Sequence, residues 1–278
     1  MDGQAFVQHI STDHQPRAIG QALVSARLRG NQSVLADLRQ SGSAKILFPR
    51  LPTSDLHAVL LNTAGGITGG DRFEYSASTE ANAVLTITTQ ACERGYRAQP
   101  GSVGTLHSKL TLAPGSTLHW LPQETILFDG AALDRQLSVD MAADATLLAV
   151  EPIIFGRSAM GETLHDLRLI DQWRVRRDGV LVYADALRIK GDHDAIARRP
   201  GTLNGAGAMA SLLLIAPDAG NRLEPLRAKL PREAGASLIR PGVLSARILA
   251  SDGMALRSTL IPVLEYLRGA PLPQVWKM

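Results

Sequence analysis

Glu151 follows the apolar run Thr146-Leu147-Leu148-Ala149-Val150 and precedes Pro152. Its carboxylate therefore starts inside a core or at its edge, where a charge is costly unless it is paired or hydrated. It is either one half of a buried salt bridge, with Arg94 or Arg157 as the other half, or an oxygen ligand on a polar path for an ion. Glu124, in Pro122-Gln123-Glu124-Thr125, lines the same region or faces solvent. Thr88 and Thr89 offer hydroxyls to a hydrated passage, or fill a strand where β-branched residues are favoured. Asp71 and Asp129 each adjoin glycine in a turn, where aspartates commonly bond to their own backbone. Glu124 and Glu151, with the cluster Asp192-His193-Asp194, are also the groups a metal-dependent hydrolase would use. Neighbours in sequence rarely converge on one ion, however, and that cluster reads as a solvated loop. Cys92 has no histidine base in a supporting motif, and no Ser-His-Asp arrangement accompanies it. His57, His107, His119 and His165 are isolated and read as structural or surface residues. Arg157 and Glu162 flank a turn and pair across it.

The stretch Asn62-Thr63-Ala64-Gly65-Gly66-Ile67-Thr68-Gly69-Gly70-Asp71-Arg72 has the glycine density of a phosphate cradle. A Walker loop needs Gly-Lys-Ser/Thr ahead of a helix, and a dinucleotide fingerprint needs glycines feeding a helix N-terminus. Here an aspartate follows Gly70 and the next segment alternates as a strand. The glycines instead suit a tight turn with positive φ, or a close approach of two backbones.

The elements that hold these residues are mostly strands. Alternation of period two recurs in QALVSARLRG, NQSVLADLRQ, RFEYSAST, TLHSKLTLA, LDRQLSVDMA and DLRLIDQWRVRR, among others. No helices separate them, which excludes a parallel α/β sheet. A weak repeat aligns ANAVLTITTQ, PGSTLHWLPQE and ADATLLAVE, with Val84, Thr117 and Thr146 as equivalent positions. If such units stack, Thr88, Thr89, Gln123, Glu124 and Glu151 fall at equivalent ends and gather in one region. Helices are expected only late. SDGMALRSTLIPVLEYLRG has a Ser-Asp cap, apolar residues at helical spacing and Gly269 as a stop, with Pro262 kinking it or joining two shorter helices. NRLEPLRAKLPRE is a second candidate. The expected fold is mainly all-β, in stacked or layered sheets of helix-like or sandwich type, with two or three peripheral α-helices near the C-terminus. One domain spans 1–278, with a β-rich body over about 17–250 and a helical segment over about 252–268.

Composition narrows the partners. The 278 residues are 45% hydrophobic and 20% charged, the balance of a globular chain. Net charge is only +3 and aromatics are 4%, so the basic-and-aromatic surface of a nucleic-acid binder is missing. Arg174-Val175-Arg176-Arg177 sits in alternating sequence and reads as a solvated strand face. A single cysteine excludes a disulfide framework and agrees with a reducing compartment. No segment reads as a signal peptide, and the apolar run from Met209 to Pro217 is too short for a bilayer. A cytoplasmic protein without membrane contacts is expected.

Four ordered segments, LLNTAGGITGGDRF, ITTQACERGYR, WLPQETILFDGA and EPIIFGRSAMGE, together with DGMALRS, LEYLR and PQVWKM at the chain's end, resemble the UreD family of urease accessory proteins, called UreH in some bacteria. Cys92 stands where that family more often has alanine, and Gln274 and Met278 depart from a common arginine and cysteine. The resemblance implies a non-enzymatic scaffold that holds the urease structural subunits and joins them to UreF and, through UreF, to the GTPase UreG. It implies no permanently bound cofactor, with nickel in transit. An ion that must be handed on needs oxygen or nitrogen ligands that exchange readily. Asp71, Thr88, Thr89, Glu124, Asp129 and Glu151 are then the residues expected to line its path. A metal-dependent hydrolase and a purely structural bridge without a metal path are the alternatives.

Overall fold

The computed structural model describes residues 16–157, 160–199 and 201–277. In chain order the strands are β1 (Ile19–Arg29), β2 (Gln32–Gly42), β3 (Ala44–Leu47), β4 (Leu56–Asn62), β5 (Arg72–Thr79), β6 (Val84–Thr89), β7 (Glu93–Gly95), β8 (Gly104–Leu112), β9 (Thr117–Leu121), β10 (Thr125–Leu127), β11 (Ala132–Met141) and β12 (Thr146–Phe155). They continue with β13 (Leu167–Arg177), β14 (Val180–Gly191), helix α1 (His193–Ala197), β15 (Ala208–Ile215), helix α2 (Ala219–Arg227), β16 (Ala234–Arg240), β17 (Val243–Ala250) and helix α3 (Gly253–Arg268). The molecule is mainly β, as the alternation predicts.

Two sheets stack face to face. One has seven strands in the order β14-β13-β11-β8-β5-β1-β2; the other follows β16-β17-β15-β12-β9-β6-β4-β3, with β10 and β7 attached beyond β12. From β5 to β13 the chain passes back and forth between the two, so that each coil adds one strand to each sheet. Strands laid down this way run parallel to their predecessors: β1, β5, β8, β11 and β13 in the first sheet, β4, β6, β9 and β12 in the second. Parallel pairing thus arises without α-helical crossovers, as in a solenoid. The weak repeat marks this register. Val84 lies beside Thr117, and Thr117 beside Thr146.

Burial follows from what covers each face. Strand β11 is buried at every second residue, because its sheet has one face on the core and one in water. Strands β12 and β15 are buried on both faces, because α2 and α3 cover the back of the second sheet. One apolar core therefore lies between the sheets, around Leu85, Leu133, Leu137, Leu147 and Trp173. A second lies between the ten-stranded sheet and the helices.

Helix α3 begins where Asp252 accepts a hydrogen bond from the Ala255 amide at 2.9 Å, and ends at Gly269 with φ +70°. Its seam of Leu256, Leu260, Val263, Leu264 and Leu267 is buried. At ~1.5–3 kcal/mol per fully buried aliphatic side chain, that seam holds both ends of the helix to the sheet. It runs through Pro262 as one element rather than two shorter helices. The Asp192-His193-Asp194 cluster is not a solvated loop either. Asp192 caps α1 by accepting from the Ala195 amide at 2.9 Å, and His193 is buried with its ring stacked on Phe155.

Candidate functional site

The glycine stretch joins β4 to β5. Ile67 donates its amide to the Arg94 carbonyl at 2.7 Å and accepts from the Tyr96 amide at 2.8 Å, so the turn lies against β7. A Cβ on Gly66 would come within 2.8 Å of the Arg94 carbonyl oxygen, and only glycine permits that approach. Asp71 locks the turn. One carboxylate oxygen accepts from the Thr68 amide and the other from the Ala18 amide, both at 2.8 Å. Asp129 does similar work two coils further on. It accepts from the amides of His165 (2.8 Å) and Asp166 (3.0 Å) and pairs with Arg97. Beside it, Arg157 and Glu162 pair at 2.9 Å across their turn.

Between the sheets lies a buried charged group. Glu151 on β12 approaches Arg135 on β11 at 2.6 Å, and Arg135 also meets Asp171 on β13 at 2.6 Å. Register makes Arg135 and Asp171 direct neighbours in the first sheet, while Glu151 faces them from the second. The guanidinium grips Asp171 with two N–H groups, Nε to Oδ1 at 3.1 Å and Nη2 to Oδ2, and its Nη1 also donates to Thr125 Oγ1 at 3.2 Å. The other oxygen of Glu151 accepts from the Trp120 indole at 2.8 Å. The partner of Glu151 is thus Arg135, not Arg94 or Arg157. Burial, with Asp171 adding to it, pushes the Glu151 carboxyl above the usual range, against the pull of Arg135 and the Trp120 bond.

A cavity of about 30 Å³ adjoins this group, lined by Thr89, Glu93, Gln123, Thr125, Glu151 and several apolar neighbours including Trp120 and Tyr75. It has room for little more than one water. Glu93 hydrogen-bonds Asn62 at 3.1 Å, and burial raises its carboxyl. Thr89 Oγ1 accepts from the Gln123 amide at 2.9 Å, tying the end of β6 to the segment before β10.

Glu124 points the other way, toward α3. Fully buried, it receives Arg257 at 3.0 Å and the Cys92 thiol at 3.2 Å. Arg257 also donates to the Trp276 carbonyl at 2.6 Å, and Trp276 returns across the sheet to donate its indole N–H to Thr88 Oγ1 at 3.1 Å. Thr88 and Glu124 therefore share a site closed by the C-terminal segment. Thr89 and Glu151 share the inter-sheet cavity. Asp71 and Asp129 lie on the turns outside both.

A third polar group sits on the back of the same sheet. His57, Thr86 and His119 are lateral neighbours on β4, β6 and β9. Asp55 accepts from His57 and Arg268 at 2.8 Å each and from Thr86 at 2.9 Å. Thr86 meets His119 Nδ1 at 3.0 Å.

Sequence reasoning overlooked Arg135 and Asp171, although a signal was there. Both occupy the apolar phase of alternating strands, Leu133-Arg135-Leu137 and Leu169-Asp171-Trp173, where a lone charge has no reason to stand. Opposite charges in the buried phase of two strands announce a buried pair. Among the described residues, no group of three or more His, Cys, Asp or Glu side chains is placed to cage a metal. Nor is any helix long and apolar enough to cross a membrane.

The fold and these sites define a class: a layered β scaffold, coiled between two sheets, with oxygen donors and charges packed inside it. Residues 18–277 match the family described as UreD urease accessory protein. The urease accessory protein UreD of Ruegeria pomeroyi is 49% identical over 253 residues, 91% of this chain and 98% of the relative. That of Roseobacter denitrificans is 47% identical over 264 residues, with 95% and 96% covered. That of Sinorhizobium medicae is 41% identical over 268 residues, with 94% and 96% covered. The chain belongs to the UreD family of urease accessory proteins.

Proposed function

We propose that this chain is a non-enzymatic scaffold of urease maturation in the cytoplasm, holding urease apoprotein and joining it to UreF and UreG while nickel is inserted. Nickel is its cargo, not a resident cofactor. The observation that carries the reading is the cavity between the sheets, where Thr89, Glu93, Gln123, Thr125 and Glu151 bring oxygen donors to one enclosed place. Oxygen donors of this kind exchange a divalent ion readily, whereas thiolate or multi-histidine cages retain it. Cys92 gives no support to nucleophilic chemistry, since burial and the neighbouring Glu124 push its thiol up to about 12. One observation favours a purely structural bridge instead: Glu151 already has Arg135 as a counter-ion at 2.6 Å.

Glu151→Gln separates the two readings. It keeps the shape and the acceptor for Trp120 but removes the charge. Arg135 retains Asp171, so the variant should fold and still bind UreF and urease. Nickel content and activity of urease matured at limiting nickel should fall several-fold. A stable variant that matures urease with a full complement of nickel would leave Glu151 a structural residue and remove the path.

A further inference from the structure

The buried charges do not balance. Two carboxylates, Glu151 and Asp171, share one guanidinium, and the three residues are each at most 5% exposed. The sharing is also uneven. Asp171 is held by two N–H groups of Arg135 in a fork, the geometry that best fits a guanidinium to a carboxylate. Glu151 is held by Nη1 alone. That same Nη1 has a second acceptor within reach, Thr125 Oγ1 at 3.2 Å. Giving up Glu151 would therefore leave Arg135 with its fork to Asp171 intact and its Nη1 still bonded. Glu151, by contrast, would be left with the Trp120 bond and an uncompensated charge beside the cavity. A buried carboxyl in that position needs a cation or a proton.

We propose that Arg135 is a charge latch on Glu151: it neutralises that carboxylate at rest, withdraws onto Asp171 and Thr125 when a divalent cation enters the cavity, and re-engages when the cation leaves. The latch rests on the reading of the cavity as a cation path and adds its regulation. Arg135 is a positioning residue, acting on the ion only through Glu151. At rest it keeps the interior closed to adventitious cations, because any ion must displace a guanidinium at 2.6 Å. In transit it competes with the ion for Glu151, so binding stays weak enough for release. Asp171 sets the balance between these states, since it anchors the withdrawn arginine.

The latch makes a prediction with a sign. Asp171→Asn removes the anchor, leaves one carboxylate to one guanidinium, and commits Arg135 to Glu151. Nickel(II) delivered to urease at limiting metal, by cells carrying the full set of maturation proteins, should fall by about tenfold, the reduction expected when the competent state is about tenfold rarer. Yet the variant loses no oxygen from the cavity lining and should be at least as stable to heat as the parent. Arg135→Gln combined with Asp171→Asn removes the latch altogether and should restore delivery above the Asp171→Asn level. Thr125→Val, which removes the fallback acceptor with little change of shape, should move delivery in the same direction as Asp171→Asn by a smaller amount. A merely structural network would give losses that follow stability, without this reversal. Delivery by Asp171→Asn, or by Thr125→Val if the former does not fold, equal to or above the parent overturns the latch. Glu151→Gln in the same assay keeps the failures apart: if it too delivers normally, the path itself is wrong; if it alone is impaired, only the latch is.

Discussion

The second sheet carries a buried polar network on each of its faces, and the two are solved differently. On the inner face two carboxyl side chains, Glu151 and Asp171, and one guanidinium, Arg135, are bonded to one another across the gap between sheets. On the outer face Asp55, His57, Thr86, His119 and Arg268 mix charges with imidazoles, and the wiring has loose ends: His57 Nδ1 and Arg268 Nε are buried without a partner. In the inner group one guanidinium is shared between two carboxyl side chains, so that removing it leaves both without their partner. The outer group is a bed for the C-terminal end of α3, where His57 and Thr86 donate to Asp55 alongside Arg268.

Removing the arginine from each group should expose that difference most strongly. Arg135→Met leaves two carboxylates buried without a counter-charge and should destabilise the chain by about 3–5 kcal/mol. Arg268→Met leaves Asp55 its bonds from His57 and Thr86 and also removes an unpaired buried N–H, so about 1–2 kcal/mol is expected. Equal losses in denaturant unfolding would mean that the two networks are alike after all.

The two groups also differed in how legible they were along the chain. The layered fold was legible because stacking and alternation are local: the Val84, Thr117 and Thr146 repeat is the register itself. Glu151 announced a buried carboxylate by following an apolar run. Its partner did not follow from that, because Arg135 reaches it from the opposite sheet, and nearness in sequence pointed to Arg157 instead. The rung of His57, Thr86 and His119 was harder still. Each looks isolated along the chain, and only the lateral pairing of parallel strands brings the three together. Trp276 and Arg257 belong to the same category, since the C-terminal segment folds back over Thr88 and Glu124 from far along the sequence. Asp71 was half legible, since it accepts from the Thr68 amide in its own turn. Its second partner Ala18, and the His165 and Asp166 amides that Asp129 accepts from, come from distant segments.

Acid should distinguish the faces next. Burial, aided by the charge of Arg268, lowers His119 to about 3. An unfolded histidine titrates near ~6.5. Between those values the unfolded chain binds a proton that the folded chain refuses, so stability falls as pH falls, by up to ~1.4 kcal/mol per pH unit. The hydrogen bond that Thr86 gives to Asp55 assigns the His119 proton to Nδ1, a donor that an asparagine amide can replace. His119→Asn should therefore show a shallower loss of stability between about pH 6 and pH 4 than the parent, with part of the slope remaining because burial also lowers His193. Identical slopes would mean that His119 is not held neutral.

The smallest effect is expected at Cys92, beside Glu124. Its thiol donates to Glu124 at 3.2 Å, and Glu124 keeps Arg257 as a far stronger partner at 3.0 Å. A thiol is a weak donor, so Cys92→Ala should change stability by less than ~1 kcal/mol and leave nickel delivery to urease unaltered. The parent thiol should nonetheless look inert. Burial first, and then the negative charge of Glu124, push it up to about 12, so the thiolate that reacts with iodoacetamide is scarce at neutral pH. Alkylation of the folded chain should be at least about tenfold slower than that of the unfolded chain, even after allowing for the greater nucleophilicity of a high-pKa thiolate. Fast alkylation in the fold would place Cys92 in a more open and less negative setting. A loss of nickel delivery in a stable Cys92→Ala chain would carry the ion past Glu124, toward the C-terminal side of the sheet rather than between the layers.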